Sequence, residues 1–399
     1  MVAVVNSTLK PGEHEVVLAE IAVGLVEFVY ATHERLAPPA FREVLKRTTV
    51  DLIVVDEAHC ASQWGHDFRP EYLALNEAID ELGRPTVLAL TATATPEVID
   101  DIRRQHRLDD ATIVHMGIDR PNLTLEVIKA AGEAEKRSAI ARVLGEVHGP
   151  AIIYTATVKA VDGLVEFLGS RGFEAGTYHG RLGAAARASI QDQFMAGNLP
   201  VMVATSAFGL GIDKPDVRVV IHHHTPATLE AYYQEAGRAG RDGQPSRCIL
   251  IHDPADKSIH RFFQANRYPT GEDLVNAHHA LKRLAAEAGP PTFTRLKSHC
   301  PLPATRLKQT LNLLKGRGLV REKGGIIELV VSELTSAELE RMAGDYKERN
   351  ERDLMCHHRM SEFAATRACR WSYLYDYFGR EDDPERPMER CGQCDNCSE

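Results

Sequence analysis

Val50-Asp51-Leu52-Ile53-Val54-Val55 runs directly into Asp56-Glu57-Ala58-His59. The first six residues are almost continuously apolar and lack the alternation of a strand with one face in water. A strand buried on both faces reads this way, and such strands belong to parallel sheets covered by helices. In open α/β sheets, ligands gather at the carboxyl ends of the strands. Two adjacent carboxylates at that position suit a nucleotide's metal. Asp56 is expected to hold Mg²⁺, directly or through water, while Glu57 polarises the water that attacks the phosphate. For the tetrapeptide alone, a polar strand end capped by an Asp is the plainer alternative.

Similar runs recur on either side, at 87–90 (VLAL), 151–154 (AIIY), 199–204 (LPVMVA), 217–222 (VRVVIH) and 247–252 (RCILIH). Helical patterns at 158–169, 184–196 and 228–236 lie between them. Strands alternating with helices predict α/β lobes with crossover connections. Gly, Pro and Asn near 117–127 mark a boundary between two lobes. After about residue 265 the character changes. A helix (272–288), two further helical pieces and a hairpin at Gly324-Gly325 outline a winged helix. Residues 294–325 carry eight Lys and Arg against Glu322 alone, which by itself is also what a solvated basic face looks like. Residues 335–378 read as helices, and 380–399 as a loop-rich, cysteine-bearing end.

Composition narrows the function classes. Of 399 residues, 44% are hydrophobic and 26% charged, so the chain folds. A net charge of −9 excludes bulk positive charge as the grip on a partner, so nucleic acid must be held by local basic patches. No apolar run approaches the roughly 18 residues of a membrane span. The stretch 21–31 is short and contains Glu27. The amino-terminal residues have neither the basic nor the long apolar region of a secretory signal. Eight cysteines are too few for a disulfide scaffold, and the expected compartment is cytoplasmic.

Cys369, Cys391, Cys394 and Cys397 are different. CGQCDNC (391–397) makes a tight knuckle, and a cysteine twenty-two positions earlier completes a tetrahedral thiolate set for Zn²⁺. Cys60, Cys248, Cys300 and Cys356 are expected to be small buried hydrophobes or surface thiols.

The carboxylates have company. Thr91-Ala92-Thr93 follows the strand at 87–90, TSAFGLGIDK (205–214) follows another, and QEAGRAGR (234–241) ends a helix. Two guanidiniums so spaced are what a γ-phosphate requires, because Arg spreads its charge and donates in a planar fork. The order VVDEAHCASQWGHDFRPEY (54–72), LTATAT (90–95), FGLGIDKPDVR (208–218) and YYQEAGRAGRDG (232–243) resembles superfamily 2 helicases, and specifically the RecQ family of 3′-to-5′ DNA helicases. The resemblance covers nearly the whole chain. It implies two RecA-like lobes with parallel sheets, the first incomplete, followed by a winged-helix-like domain and a helical zinc-binding subdomain. The expected division is 1–120, 121–265, 266–332 and 333–399.

By the same resemblance, Asp56 is the Mg²⁺ residue and Glu57 the catalytic base of a DEAH box, with His59 coupling that box. Arg241, with Arg238 beside it, is the arginine finger; Gln234 is its motif partner, and Asp213 lies near the nucleotide. The loop 62–69 (SQWGHDFR) resembles the aromatic-rich loop that reports bound single-stranded DNA. Trp64 and Phe68 would stack on unpaired bases, for roughly 1–3 kcal/mol each, with Arg69 adjacent. His179 and Thr205 would line the same track. The layout of the four cysteines resembles the family's zinc subdomain. The implied activity is ATP-dependent unwinding in recombination and repair, by a monomer acting on single-stranded and partially duplex DNA, with ATP, Mg²⁺ and Zn²⁺ as cofactors and no membrane.

Departures from the family pattern remain. No G-x-x-x-x-G-K-[ST] phosphate loop occurs in the sequence, and the region resembling the family begins inside the first lobe. The expectation is that upstream coding sequence supplies this loop and that the 399 residues alone are inactive. His33 stands where the family usually has Pro, and the winged-helix-like region precedes the cysteines instead of following them. Three readings stay open: a RecQ-type helicase, a catalytically dead DNA-binding relative, and a DEAH-type RNA-acting NTPase.

Overall fold

The computed structural model describes residues 1–6, 9, 11–36, 39–62, 72, 75–115, 117–209, 212–258, 269–331, 334–379 and 390–398. The chain divides into two compact units. The first comprises Met1–Pro121, Glu230–Gly237 and Arg367–Glu399; the second comprises Asn122–Leu229 and Arg238–Thr366.

The amino-terminal part of the first unit is built from β1 (Val2–Val5), α1 (Pro11–Ala22), β2 (Phe28–Ala31), α2 (His33–Leu36), α3 (Pro39–Leu45), β3 (Leu52–Val55), α4 (Leu75–Glu81), β4 (Thr86–Ala89) and α5 (Pro96–His106). β1 pairs with β2 and β3 with β4, both parallel. Val5 packs with Ile21, Phe41 and Leu45, and Val55 with Leu75, Ile79, Val98 and Ile102. These side chains come from alternate strand positions and from the covering helices. On the opposite face Val2, Val4, Phe28, Tyr30, Leu52, Val54, Leu88 and Leu90 remain 43–66% exposed. The expectation of burial on both faces therefore needs correction here: among the described residues the helices cover one face only.

The second unit meets that expectation in its inner strands, while its edge strands β5 and β7 are only partly buried. Its sheet has six parallel strands in the order β5-β10-β9-β6-β8-β7. They are β5 (Leu123–Lys129), β6 (Ala151–Tyr154), β7 (Ala175–Tyr178), β8 (Val201–Ala204), β9 (Val219–His222) and β10 (Ser246–His252). Every residue of β6, β8 and β9 is buried. Of the crossover helices α6 (Gly132–Glu146), α7 (Val158–Ser170) and α8 (Ala184–Met195), the first two supply apolar partners such as Ile140, Val161, Leu164 and Leu168. Helix α9 (Leu229–Ala236) follows β9 in sequence, yet its contacts group it with the first unit.

Next come α10 (Gly271–Ala288), α11 (Phe293–His299), α12 (Ala304–Gly316) and the antiparallel pair β11 (Val320–Lys323) and β12 (Ile326–Leu329). Gly324 and Gly325 turn the hairpin at φ 59° and 78°, the left-handed values that a two-residue turn demands. Leu274, Leu281, Leu296, Leu307, Leu311 and Ile327 form a separate small core. The order of helices followed by a hairpin is the one read from the sequence. α13 (Ser336–Ala365) opens on a capping box between Thr335 and Glu338. The last helix, α14 (Arg370–Tyr377), returns to the first unit. Among the described residues no helix is long and apolar enough to cross a membrane.

Candidate active site and metal centre

The apolar run 50–55 ends as β3, and Asp56 and Glu57 follow its last residue, Val55. Asp56 is exposed, and its Oδ1 accepts the Glu57 amide at 2.9 Å. Glu57 sits at φ 50°, ψ 44°. That left-handed conformation costs a non-glycine residue about 1–3 kcal/mol and is tolerated where the surroundings fix it. It turns the Glu57 carboxylate toward two groups. Oε1 accepts from Gln234 Nε2 at 3.3 Å, and Oε2 lies 3.3 Å from His59 Nδ1.

His59 is 2% exposed and has a second neighbour, Thr91 Oγ1, 3.0 Å from the same Nδ1. The Thr91 hydroxyl donates to Thr93 O at 3.4 Å, so it accepts from the ring. Both neighbours of Nδ1 can then accept from the ring, an arrangement that suits a proton on that nitrogen. His59 thereby joins the carboxylate after β3 to the threonine after β4. Thr91 belongs to this cluster; its place after a strand was visible in the sequence, but its partnership with His59 was not.

The two arginines of QEAGRAGR have different surroundings. Arg238 is 7% exposed, and a Cβ on Gly209 would lie 3.0 Å from its Nη2. Its buried Nε has no hydrogen-bond partner among the described residues. Arg241 is exposed and pairs with Asp213 Oδ1 at 2.7 Å, donating also to Ile212 O at 3.1 Å. The structure thus brings Arg241 and Asp213 together within the second unit. His179 follows β7 and Thr205 follows β8, adjacent strands of the sheet. His179 is buried, with Nε2 3.7 Å from Asp162 Oδ1. Trp64, Phe68 and Arg69 lie outside the described residues.

Cys369, Cys391, Cys394 and Cys397 converge, with all four Sγ atoms within 4.8 Å of one another. Tetrahedral zinc thiolates at about 2.3 Å from the metal place their sulfurs about 3.8 Å apart, so the set fits that ion. The thiols differ in their surroundings. Burial works to raise Cys369, but hydrogen bonds from Ser372 and neighbouring thiols hold it down at about 7. Burial pushes Cys391 and Cys394 up. Four sulfurs this close together suit a cation that takes them all as thiolates. Cys60, Cys248 and Cys300 are buried elsewhere, and Cys356 is half-buried.

Known families match most of the chain. The profile of the DEAD/DEAH box helicases matches residues 2–102, that of the helicase conserved C-terminal domain 135–243, and RecQ zinc-binding 335–398. ATP-dependent DNA helicase RecQ of Bacillus subtilis (strain 168) is 45% identical over 261 residues, covering 65% of this chain and 44% of the relative. The probable ATP-dependent DNA helicase RecS of the same organism is 36% identical over 396 residues, covering 99% of this chain and 75% of RecS. The chain therefore spans under half the length of the first relative and three quarters of the second. Among solved structures, S. cerevisiae Dbp5 bound to RNA and ADP BeF3 is 22% identical, covers 60% of this chain and 63% of that one, and superposes with a TM-score of 0.49.

Proposed function

We propose that this chain, which belongs to the RecQ family of superfamily 2 helicases, couples ATP hydrolysis to 3′-to-5′ unwinding of DNA. One observation carries the reading: the hydrogen bond from Gln234, in the helix that ends QEAGRAGR, to Glu57, the second carboxylate after β3. A water-polarising base needs its lone pairs aimed and its neighbours fixed. Gln234 and His59 each hold one oxygen of Glu57, which fixes the plane of the carboxylate.

In this reading Asp56 holds Mg²⁺, which when bound neutralises developing charge on the phosphates. Glu57 takes the proton of the attacking water. Arg238 and Arg241 stabilise the departing charge, and Asp213 keeps Arg241 oriented until the nucleotide arrives. His59 links Glu57 to Thr91 and so to the end of β4. Trp64, Phe68 and Arg69, with His179 and Thr205, contact single-stranded DNA. Cys369, Cys391, Cys394 and Cys397 hold a structural Zn²⁺ in a reducing, cytoplasmic setting. The working modules are 1–120, 121–265, 266–332 and 333–399, acting as a monomer on single-stranded and partially duplex DNA.

The sequence of these 399 residues contains no G-x-x-x-x-G-K-[ST] string. Such a loop grips the β- and γ-phosphates, and positioning and charge stabilisation dominate phosphoryl transfer. That observation favours a second reading for the 399 residues taken alone, as a DNA-binding module without turnover. The test compares DNA-stimulated ATP hydrolysis and strand separation by the chain as it stands with those of the same chain joined to an amino-terminal segment bearing the loop. Turnover and unwinding only in the joined form support the helicase reading. DNA binding without turnover in both supports the second.

A further inference from the structure

Helix α9 is eight residues long, too short to be stable in water on its own merits. Its placement must come from what packs on it. Glu230 and Gln234 are four residues apart and therefore share one face of the helix. Gln234 meets Glu57. Glu230, a carboxylate only 5% exposed, accepts the hydroxyl of Tyr377 at 2.6 Å. Beside this bond, the ring of Phe378 lies 5.3 Å from the ring of Tyr233, whose hydroxyl donates to Ile118 O at 2.9 Å.

Tyr377 and Phe378 stand at the end of α14, and the start of that helix is the cysteine knot. Cys369 is its N-cap. Arg370, 3% exposed, makes a two-point contact with Asp395 of CGQCDNC, Nε to Oδ1 at 2.5 Å and Nη2 to Oδ2 at 2.9 Å. Trp371, Leu374 and Tyr375 are fully buried, so α14 is pinned along its length. Eight residues at about 1.5 Å each span about 12 Å.

We propose that Tyr377 and Phe378 are positioning residues which fix the rotation and register of α9, so that zinc in the cysteine knot sets the contact of Gln234 with Glu57. The inference rests on the hydrolytic reading of that contact. It goes further in assigning the cysteine subdomain a part in preparing the site. A clamp at Glu230 and a functional group one turn on, at Gln234, share a rigid face, so slack at the first becomes misplacement of the second.

Hydrogen exchange measured by mass spectrometry on the zinc-loaded 399-residue chain tests the brace without reference to turnover. Amides of α9 should exchange about tenfold faster in Tyr377→Phe and in Glu230→Ala, as local opening becomes easier. Zinc content and protection of the six-stranded sheet should stay at wild-type values in both variants. Glu230→Gln keeps an oxygen to accept the Tyr377 hydroxyl and should restore the wild-type rate. Stripping zinc with a chelator should loosen α9 as Tyr377→Phe does. Wild-type exchange of α9 in Tyr377→Phe, or in the zinc-stripped chain, would overturn the proposal. So would faster exchange spread evenly over the first unit, which marks a merely structural role. Failure here would leave the helicase reading standing, since that reading is judged by ATP hydrolysis and strand separation.

Discussion

Gln234 and Glu57, 177 positions apart in sequence, meet through a hydrogen bond of 3.3 Å from Nε2 to Oε1. The glutamine belongs to a helix that follows the fifth strand of the second sheet in chain order, yet its contacts group it with the DEAH box. A carboxylate that acts on water gains from this arrangement, because the amide donor fixes its plane without taking its proton. Replacing Gln234 by Ala in a turnover-competent chain should lower DNA-stimulated hydrolysis about tenfold, with little change in nucleotide affinity. Steady-state kinetics that split kcat from KM check this.

Arg241 carries a larger share in the proposed mechanism. Loss of an arginine that stabilises transferred charge costs about 10³–10⁵ in rate. Arg241→Ala should therefore abolish measurable turnover, while Asp213→Asn, which removes only its resting partner, should reduce it several-fold at most. Rapid-quench measurement of phosphate release distinguishes the two.

Zinc should be present at about one ion per chain, and Cys394→Ala should lose it. Emission spectroscopy of the purified protein measures the metal. Near-ultraviolet circular dichroism then follows Trp371, which is buried in α14 beside the knot. Fully folded protein without zinc would contradict the assignment.

DNA affinity should fall steeply with salt, since a chain of net charge −9 must rely on local cations. Between 271 and 331 ten Lys and Arg stand against five Asp and Glu, reversing the sign of the chain as a whole. Lys308, Arg321 and Lys323 are exposed on α12 and β11 of this module. Each replaced by Ala should lower the slope of log affinity against log salt by about 1 if it meets a phosphate. Trp64→Ala should instead weaken single-stranded binding with the slope unchanged. Fluorescence anisotropy across a salt series reads both.

Acid should reveal the pairing of Glu133 with His223. The His223 ring, 3.3 Å away, draws the Glu133 carboxyl from 4.5 down to about 2, against partial burial and with help from Arg137. A carboxyl lowered in the folded state stabilises it above its unfolded value. Stability from Glu133 is thus complete above about pH 5 and is lost as pH falls from 4.5 toward 2. Solvent screens a side chain that is 46% exposed, so on the order of 1 kcal/mol is at stake. Urea midpoints at neutral and acid pH should converge in Glu133→Gln.

Much of this molecule was legible in its residues. The strands at 151–154, 201–204 and 219–222 are buried throughout, as their unbroken apolar runs require. The same kind of run at Leu52–Val55 misleads, because composition records that a strand is apolar but not whether both faces find a covering helix. β1 and β7 were not legible: AGTY offers little apolar surface, and VAVV stands at residues 2–5 with no turn signal ahead of it. The four cysteines announced themselves by spacing. The Glu57–Gln234 and His59–Thr91 contacts did not, because each joins residues whose proximity is set by packing and not by any local pattern. Nor did Tyr377 and Glu230, whose bond closes over 147 positions.

The most direct measurement is DNA-stimulated ATP hydrolysis by this chain joined to a segment bearing a G-x-x-x-x-G-K-[ST] loop, with Glu57 intact and with Glu57→Gln. General-base catalysis contributes about 10²–10⁴ in rate, so hydrolysis should fall at least a hundredfold in the variant while nucleotide and single-stranded DNA still bind. Equal turnover with and without the Glu57 carboxylate would contradict the account.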